Sequence, residues 1–265
     1  MTETMRIDGV ATRQLPADDR GLAYGDGVFR TMRVEAGRVV AWPFHYARLA
    51  HDCAALGFAV PMRHVLEADA EALCRESPTG ALKIMITRGS GGRGYAAPAE
   101  AQPRRIVSLH PAPAAPAALA LPVCPVVLAT PAPLAGVKHL NRLEQVLARA
   151  YCERRNIVDA AMCDSSGRII CTTMRNLILV DASGRWSTPA LGRAGVIGAT
   201  RERLRAAVPD FVERDIKVTE LSEFAAVIAC NSLTGAVPVT RIGDQSFARS
   251  TALAARADAL LTEHV

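Results

Sequence analysis

The sequence predicts an α+β fold of two domains, a small N-terminal α/β domain at 1–110 and a larger, strand-rich C-terminal domain at 119–265. Short runs rich in Val, Ile and Leu alternate irregularly with segments of helical periodicity, which is typical of sheets with scattered helices. Residues 111–118 are all proline or alanine, so they cannot continue a regular sheet and predict a semi-rigid linker between the domains.

The elements of the N-terminal domain follow from alternation and from helix signals. The segment from Val28 to Val40 predicts two strands joined by a turn at 35–38. A helix is expected to begin near Pro43, because proline fits the first helical turn, and to end at Gly57. Further strands are predicted at 83–87 and 105–109.

The C-terminal domain is predicted to hold several strands and three helices. The helix after Lys138 is expected to be capped by Asn141, with the Glu144 carboxylate three residues later. Strands are predicted at 119–128, 158–163, 167–171, 176–181 and 225–230, and helices at 141–154, 196–207 and 250–262.

Composition narrows the class of function. Of the 265 residues 50% are hydrophobic, yet no apolar run approaches the ~20 residues of a membrane helix, and the N-terminus lacks a secretory pattern. The net charge of +5 is dispersed, which argues against nucleic acid and suits an anionic small-molecule substrate. The seven cysteines show no CxxC spacing, so we expect reduced thiols in a cytoplasmic protein and no zinc or other metal site.

Lys138 is the first candidate for chemistry. It ends the apolar run Leu134-Ala-Gly-Val and precedes a predicted helix. Loss of hydration among apolar neighbours is expected to lower the pKa of such an amine and make it a nucleophile, whose usual use is a Schiff base with pyridoxal phosphate (PLP). A surface lysine in a loop is the alternative.

Other segments are candidates for binding an anionic ligand. Arg48 can reach a phosphate or lie on a solvated helix face. The loop 88–95 contains four glycines, with Arg93 for a carboxylate and Tyr95 as a hydroxyl group, or is merely a flexible surface loop. Gly195–Gly198 precedes a predicted helix, whose free N–H groups suit a phosphate. The segment 230–239 ends a predicted strand in small hydroxyl residues, which could add phosphate ligands. An ordinary helix start and an ordinary turn remain open for these two.

Taken in order, these segments resemble the fold-type IV PLP-dependent enzymes, the class IV aminotransferase family with its branched-chain and D-amino-acid aminotransferases. The similarity extends from about Ile7 to Val239 and is strongest to the aminodeoxychorismate lyase branch. It is carried by DRGLAYGDGVF at 19–29, RGSGGRGY at 88–95, GVKHLNRLEQVLAR at 136–149 and the glycine-rich helix start at 195–201.

The resemblance implies roles for individual residues. Lys138 would hold PLP through its amine, and Thr31 would assist catalysis, at a position where the lyases have threonine and the branched-chain enzymes glycine. Arg93 and Tyr95 would lie on the substrate side of the cofactor. The phosphate would be bound by Arg48, the amides of Val196 and Ile197, and Ser232. The resemblance also implies a homodimer.

Cys171 departs from the family pattern. In the motif E-x-x-x-x-N the glutamate pairs with the pyridine nitrogen of PLP, but here Cys171 stands five residues before Asn176. A thiol would hold the pyridinium poorly, and the electron sink would be shallower. Together with Arg30, where the wider family has glutamate, this argues against a transaminase. A lyase of reduced activity, a shifted register and PLP binding without turnover all remain open.

The resemblance therefore predicts PLP-dependent conversion of 4-amino-4-deoxychorismate to 4-aminobenzoate and pyruvate, in folate biosynthesis. Aromatisation of the product is expected to compensate for a shallower electron sink. A D-amino-acid or branched-chain aminotransferase is the first alternative, and a non-catalytic PLP-binding homologue is the second.

Overall fold

The computed structural model describes residues 4–75 and 77–263. The chain divides into two compact units. The N-terminal unit comprises the residues up to Pro113 together with Val137–Asn141, and the C-terminal unit comprises Ala114–Gly136 and the residues from Arg142 onward. Lys138 therefore belongs to the N-terminal unit, although it follows the predicted linker in sequence.

The N-terminal unit is built on a five-stranded antiparallel sheet of order β1-β5-β4-β2-β3. Along β2, Val28, Met32 and Val34 are buried in the core, whereas Phe29 and Thr31 lie on the opposite face. The strands are β1 Met5–Ile7, β2 Gly27–Glu35, β3 Arg38–Val39, β4 Gly80–Thr87 and β5 Arg104–His110, and the helices are α1 Arg20–Tyr24, α2 Trp42–Ala55 and α3 Arg63–Cys74.

The C-terminal unit contains a seven-stranded sheet of order β11-β10-β9-β12-β13-β14, with β6 beside β13, and the hairpin β7–β8. Residues of β12 alternate between two cores, Val227 and Ala229 in one and Ile228 and Cys230 in the other. The strands are β6 Leu119–Leu121, β7 Ala161–Cys163, β8 Ile169–Thr172, β9 Asn176–Asp181, β10 Trp186–Pro189, β11 Val212–Arg214, β12 Phe224–Asn231, β13 Gly235–Ile242 and β14 Gln245–Ser246. The α-helices are α4 Leu143–Arg154, α5 Ala199–Ala207 and α6 Ser250–Glu263, with 3₁₀ turns at Ala132–Leu134 and Val218–Glu223.

Most predicted elements are present, but the predicted cap of α4 is wrong. Its N-cap residue is Arg142, and no side chain caps the helix. The Asn141 amide instead donates to the Gly25 carbonyl, and the Glu144 carboxylate accepts from the Ala129 N–H. Both side chains are thus used for contacts distant in sequence, which a local capping pattern does not reveal.

Other differences concern elements that were not predicted or are shorter. Neither helix α3 nor the short helix α1 was predicted. The strand predicted at 119–128 is reduced to β6. Within the described residues, no helix has the length and apolar character that crossing a membrane requires.

Candidate active site

The segment that carries Lys138 pairs with the first residues of β2. The Lys138 carbonyl accepts from the Phe29 N–H at 2.9 Å, and the Leu140 N–H donates to the Gly27 carbonyl at 2.9 Å. Lys138 is half-buried, and its Nζ lies 4.6 Å from the centroid of the Phe29 ring. Backbone pairing with β2 therefore fixes the position from which the lysine side chain starts.

Gly25, just before β2, and Gly27, the first residue of β2, permit this pairing. Gly25 has φ +66°, and a Cβ there would lie 2.4 Å from Asn141 Oδ1. A Cβ on Gly27 would lie 2.6 Å from the Ile86 carbonyl oxygen and 2.8 Å from Cδ1 of Leu140, two residues after Lys138. A side chain at either position would collide with a neighbouring segment, so the glycine-rich stretch allows the Lys138 segment to approach β2.

Thr31 and Lys83 share the face of the sheet on which Phe29 lies. Thr31 is opposite Lys83 in the antiparallel pairing of β2 with β4. The Nζ of Lys83 lies 5.1 Å from the Phe29 ring centroid, and burial lowers the pKa of this lysine. Sequence reasoning missed Lys83, treating it only as a strand residue; the signal was a lysine beginning the apolar run Lys83-Ile-Met-Ile.

Arg48 is held within the N-terminal unit by an ion pair. Its Nη2 lies 3.2 Å from Oδ1 of Asp52, one turn later on α2. The Arg48 side chain is only 13% exposed, which excludes the interpretation as a solvated helix face. Asp52 itself is fully buried and also accepts from the Lys138 backbone N–H at 3.1 Å.

The loop that carries Arg93 and Tyr95 is anchored by buried charges. Arg20 donates to the carbonyl groups of Gly94, Tyr95 and Ala96 at 3.3, 3.0 and 3.1 Å. Arg20 also pairs with Asp26, which in turn pairs with Arg88.

The anchoring places the side chains of Arg93 and Tyr95 at the surface of the chain. Arg93 is exposed, and Tyr95 is 88% exposed, with its ring edge-on to Tyr24. The loop is therefore glycine-rich yet tethered, and its two candidate substrate residues project outward.

In the C-terminal unit, the start of α5 is fixed by Asn176. Its amide group donates to the Val196 carbonyl at 2.8 Å and accepts from the Gly198 N–H at 3.1 Å. A Cβ on Gly198 would lie 2.3 Å from Asn176 Oδ1, so this close contact requires glycine. The asparagine of the E-x-x-x-x-N motif thus has a direct structural role here.

The amides available at α5 differ from those expected. The Ile197 N–H donates to the Gly136 carbonyl at 2.9 Å, which removes it as a phosphate donor in this arrangement. The first bond of the helix runs from Glu202 N–H to the Gly198 carbonyl. The N–H groups that precede this bond belong to Ala199, Thr200 and Arg201.

Hydroxyl groups lie beside these amides. The Thr200 hydroxyl is 3.3 Å from the hydroxyl of Ser232, which follows β12. Amides at a helix N-terminus and adjacent hydroxyls form a donor set suited to a phosphate. Sequence reasoning missed Thr200, although it lies in the helix start that was singled out.

Cys171 occupies the end of β8, beside the turn that leads to β9. It is 9% exposed and pairs with Met162 of β7. The Thr172 N–H donates to the Arg175 carbonyl at 2.8 Å, closing the turn before Asn176.

Asp159 stabilises this turn through hydrogen bonds and an ion pair. Its buried carboxylate accepts from the hydroxyls of Thr172 and Thr173 at 2.8 and 2.6 Å and from Arg175 Nη1 at 2.7 Å. The spacing between Cys171 and Asn176 is thus fixed by a bonded turn.

The sequence matches the family model for class IV amino-transferases over residues 27–242. It is 34% identical over 246 residues to the aminodeoxychorismate lyase of Vibrio harveyi, covering 89% of this chain and 90% of the relative. The structure is similar to that of 4-amino-4-deoxychorismate lyase from Pseudomonas aeruginosa, with a TM-score of 0.89 and 37% identity. The match covers 98% of this chain and 99% of the Pseudomonas chain. The branched-chain amino acid aminotransferase from Escherichia coli shares the fold, with a TM-score of 0.83 and 19% identity. The match covers 97% of this chain and 92% of the Escherichia coli chain. The predicted fold class is confirmed, and the chain belongs to the class IV aminotransferase family.

Proposed function

We propose that this protein is a PLP-dependent aminodeoxychorismate lyase, which converts 4-amino-4-deoxychorismate to 4-aminobenzoate and pyruvate. The carrying observation is the group of side chains on one face of β2, where Lys83 lies opposite Thr31 and the Lys138 amine contacts Phe29. Two relatives named as this lyase, at 34% and 37% identity over nearly the whole chain, support the same activity.

The residues of each unit, taken by itself, suit PLP. The N-terminal unit offers a half-buried lysine amine at Lys138 for the aldehyde and a largely buried guanidinium at Arg48 for the phosphate. The C-terminal unit offers the α5 amides and the hydroxyls of Thr200 and Ser232. PLP, when bound, supplies an electron sink for negative charge that develops on the substrate.

We assign proton transfer and substrate positioning to the N-terminal unit. The Lys138 amine would take the proton that the substrate ring loses as it becomes aromatic. The Thr31 hydroxyl would orient or protonate the oxygen of the departing enolpyruvyl group as its C–O bond breaks. The Lys83 ammonium, opposite Thr31, would bind a substrate carboxylate, a charge-assisted contact. Arg93 and Tyr95 remain proposed substrate contacts.

Cys171 favours elimination over amino transfer. If the thiol faces the pyridine nitrogen, it stabilises the protonated ring less than a carboxylate would, and carbanion chemistry is penalised. Elimination of pyruvate gains the stability of an aromatic product, which offsets a weaker sink. The lyase reaction is therefore the one that this residue tolerates best.

We further propose a cytoplasmic homodimer that supplies 4-aminobenzoate for folate synthesis. The seven cysteines are all buried and none forms a disulfide, which suits a reducing compartment. Exposed apolar side chains support self-association, because such groups gain from leaving water. They include Leu22, Tyr24 and Tyr95 in the N-terminal unit and Leu143, Val146 and Leu147 along α4.

The activity is tested by product analysis. Purified protein supplied with PLP and 4-amino-4-deoxychorismate is expected to release 4-aminobenzoate and pyruvate in equal amounts, and Lys138→Ala to release neither above background. Transfer of amino groups from branched-chain or D-amino acids to 2-oxo acids is measured in parallel. Transfer without 4-aminobenzoate release would overturn the lyase proposal in favour of an aminotransferase, and PLP binding without either reaction would indicate a non-catalytic protein.

A further inference from the structure

Asp52 on α2 is a fully buried carboxylate outside the residues to which the sequence assigned a role. Burial of an ionised carboxylate is costly unless its oxygens are paired and hydrogen-bonded. Its partners therefore show what its position in the fold is adapted to.

The two oxygens of Asp52 bind three different segments. Oδ2 accepts from the backbone N–H of Lys138 at 3.1 Å and from Nη2 of Arg30 on β2. Oδ1 lies 3.2 Å from Nη2 of Arg48 and 3.3 Å from Nδ1 of the largely exposed His51. One carboxylate thus joins the Lys138 segment to the Arg48 side chain.

The bond to Lys138 is distinct from the pairing with β2. That pairing uses the Lys138 carbonyl and the Leu140 N–H. The Lys138 N–H instead leaves the sheet and donates to Asp52. The backbone of Lys138 is therefore held from two directions, by the edge of β2 and by α2.

Arg30 alters the net charge of the cluster that Asp52 forms with Arg48. A lone Arg48–Asp52 pair would carry no net charge, and Asp52 would cancel the positive charge that a phosphate attracts. With the 2% exposed Arg30 included, two guanidinium groups share one carboxylate, and the cluster keeps one net positive charge. The arginine that departs from the family pattern on β2 is thus matched to Asp52.

We propose that Asp52 is a positioning residue that sets Lys138 and Arg48 relative to each other for PLP, and that Arg30 balances its charge so that Arg48 stays effective toward the phosphate. This inference rests on the proposed use of PLP. Asp52 acts through its two partners and touches no reacting atom.

The first test measures the PLP dissociation constant of apoprotein carrying Asp52→Asn. An amide can present its oxygen to only one side, so either Arg48 or Lys138 loses its acceptor. Removing the negative charge of Asp52 would by itself favour the phosphate, but the lost positioning of Arg48 and Lys138 is expected to outweigh this effect, so that PLP affinity falls roughly tenfold, the scale of one charge-assisted contact. Asp69→Asn is the matched control, because Asp69 on α3 is also buried and pairs with Arg105 of β5 at 2.8 Å. It is expected to lower the melting temperature without changing PLP affinity.

A double-mutant cycle shows whether Asp52 acts through Arg48. In an Arg48→Ala background, Asp52→Asn is expected to change the PLP dissociation constant about twofold or less, because the shared interaction is already lost. Full additivity of the two changes would overturn the coupling. Equal effects of Asp52→Asn and Asp69→Asn on PLP affinity would reduce Asp52 to an ordinary structural ion pair.

Arg30 provides a second variant, in case Asp52→Asn does not fold. Arg30→Met keeps an apolar side chain of similar length in the strand and leaves Asp52 paired with Arg48. We expect it to weaken PLP binding roughly fivefold and Arg30→Lys to restore most of that loss, on the scale of one charged contact. Unchanged affinity in Arg30→Met would overturn the role of Arg30. Wild-type protein that binds no PLP would instead refute the proposed function.

Discussion

At the scale of single residues, the ring of Phe29 is close to two lysine amines with different proposed tasks. The Nζ atoms of Lys138 and Lys83 lie 4.6 and 5.1 Å from its centroid. An aromatic ring attracts a cation yet offers no hydration, so it holds each amine in place while keeping its surroundings apolar. Lys138 could be chosen from the sequence because its neighbours form a long family motif, whereas Lys83 required knowledge of the β2–β4 register.

Arg48 gives a prediction about cofactor affinity. Arg48→Ala is expected to weaken PLP binding roughly ten- to a hundredfold, because a partly buried arginine–phosphate contact contributes about 1.5–3 kcal/mol. The rate of the PLP-saturated enzyme should change much less. Titration of apoprotein with PLP measures the effect. Arg63→Ala, which removes an exposed arginine of α3, serves as the control and should leave affinity unchanged. Equal affinities for all three proteins would refute the phosphate role.

Cys171 gives a prediction about reaction specificity. Cys171→Glu is expected to raise amino transfer to 2-oxo acids while changing lyase turnover less, because a carboxylate would deepen the electron sink. Cys171→Gln is the control for side-chain size, since it adds the same bulk without charge. A PLP-loaded Cys171→Glu protein with background transfer would show that pairing at the ring nitrogen does not limit the reaction. Failure of that variant alone to fold would indicate an unpaired buried charge and a wrong register.

At the scale of elements, the loop 88–96 depends on a charge cluster. Burial alone would raise the pKa of Asp26, but hydrogen bonds and charges from Arg88 and Arg20 outweigh it and hold that pKa below its ordinary value. Arg20 in turn binds the backbone carbonyls of Gly94, Tyr95 and Ala96. Order in this glycine-rich loop therefore depends on an ionised Asp26.

The pH dependence follows from this lowered pKa. A carboxyl group with a depressed folded-state pKa stabilises the fold above its unfolded pKa of about 3.9, and the contribution disappears as the pH falls through the folded value. Asp26→Asn is expected to reduce the free energy of unfolding on the order of 1–3 kcal/mol at pH 7. The difference from wild type should shrink progressively below about pH 4.

Urea unfolding at pH 7 and pH 3 measures this prediction, and protease cleavage within 88–96 reports on the loop. Glu67→Gln is the control, since its pair with Arg63 is exposed and contributes little. A pH-independent effect of Asp26→Asn would contradict the assignment of an ionised Asp26 to the cluster.

Helix α3 is an element that was not predicted from the sequence. Its buried residues Leu66, Ala70 and Leu73 have helical spacing, so the signal was present. The buried Asp69 interrupts that stripe with a charge, which is explained only by its pair with Arg105 on β5. By contrast, the β2–β3 hairpin was predicted correctly because its alternation and its turn are local features.

At the scale of the whole molecule, the family and the fold could be predicted because the motifs are long and extend over nearly the whole chain. The detailed site could be predicted only in part. The proposed role of Asp52 follows from its bonds to Arg30 and Lys138, and both residues are distant from it in sequence. Likewise, the bond from the Ile197 N–H to the Gly136 carbonyl shows that this amide is already used, and the bond from Glu202 to Gly198 shows that the N–H groups at the helix start are those of 199–201.

The identity of the amine that binds PLP decides whether Lys138 has the role proposed for it. Protein incubated with PLP, reduced with borohydride and digested for peptide mass spectrometry is expected to carry the phosphopyridoxyl mass on Lys138. Lys138→Ala should show no such mass and no absorbance band of bound cofactor. The modification on Lys83, or on no lysine at all, would refute the assignment of Lys138 as the PLP-binding residue.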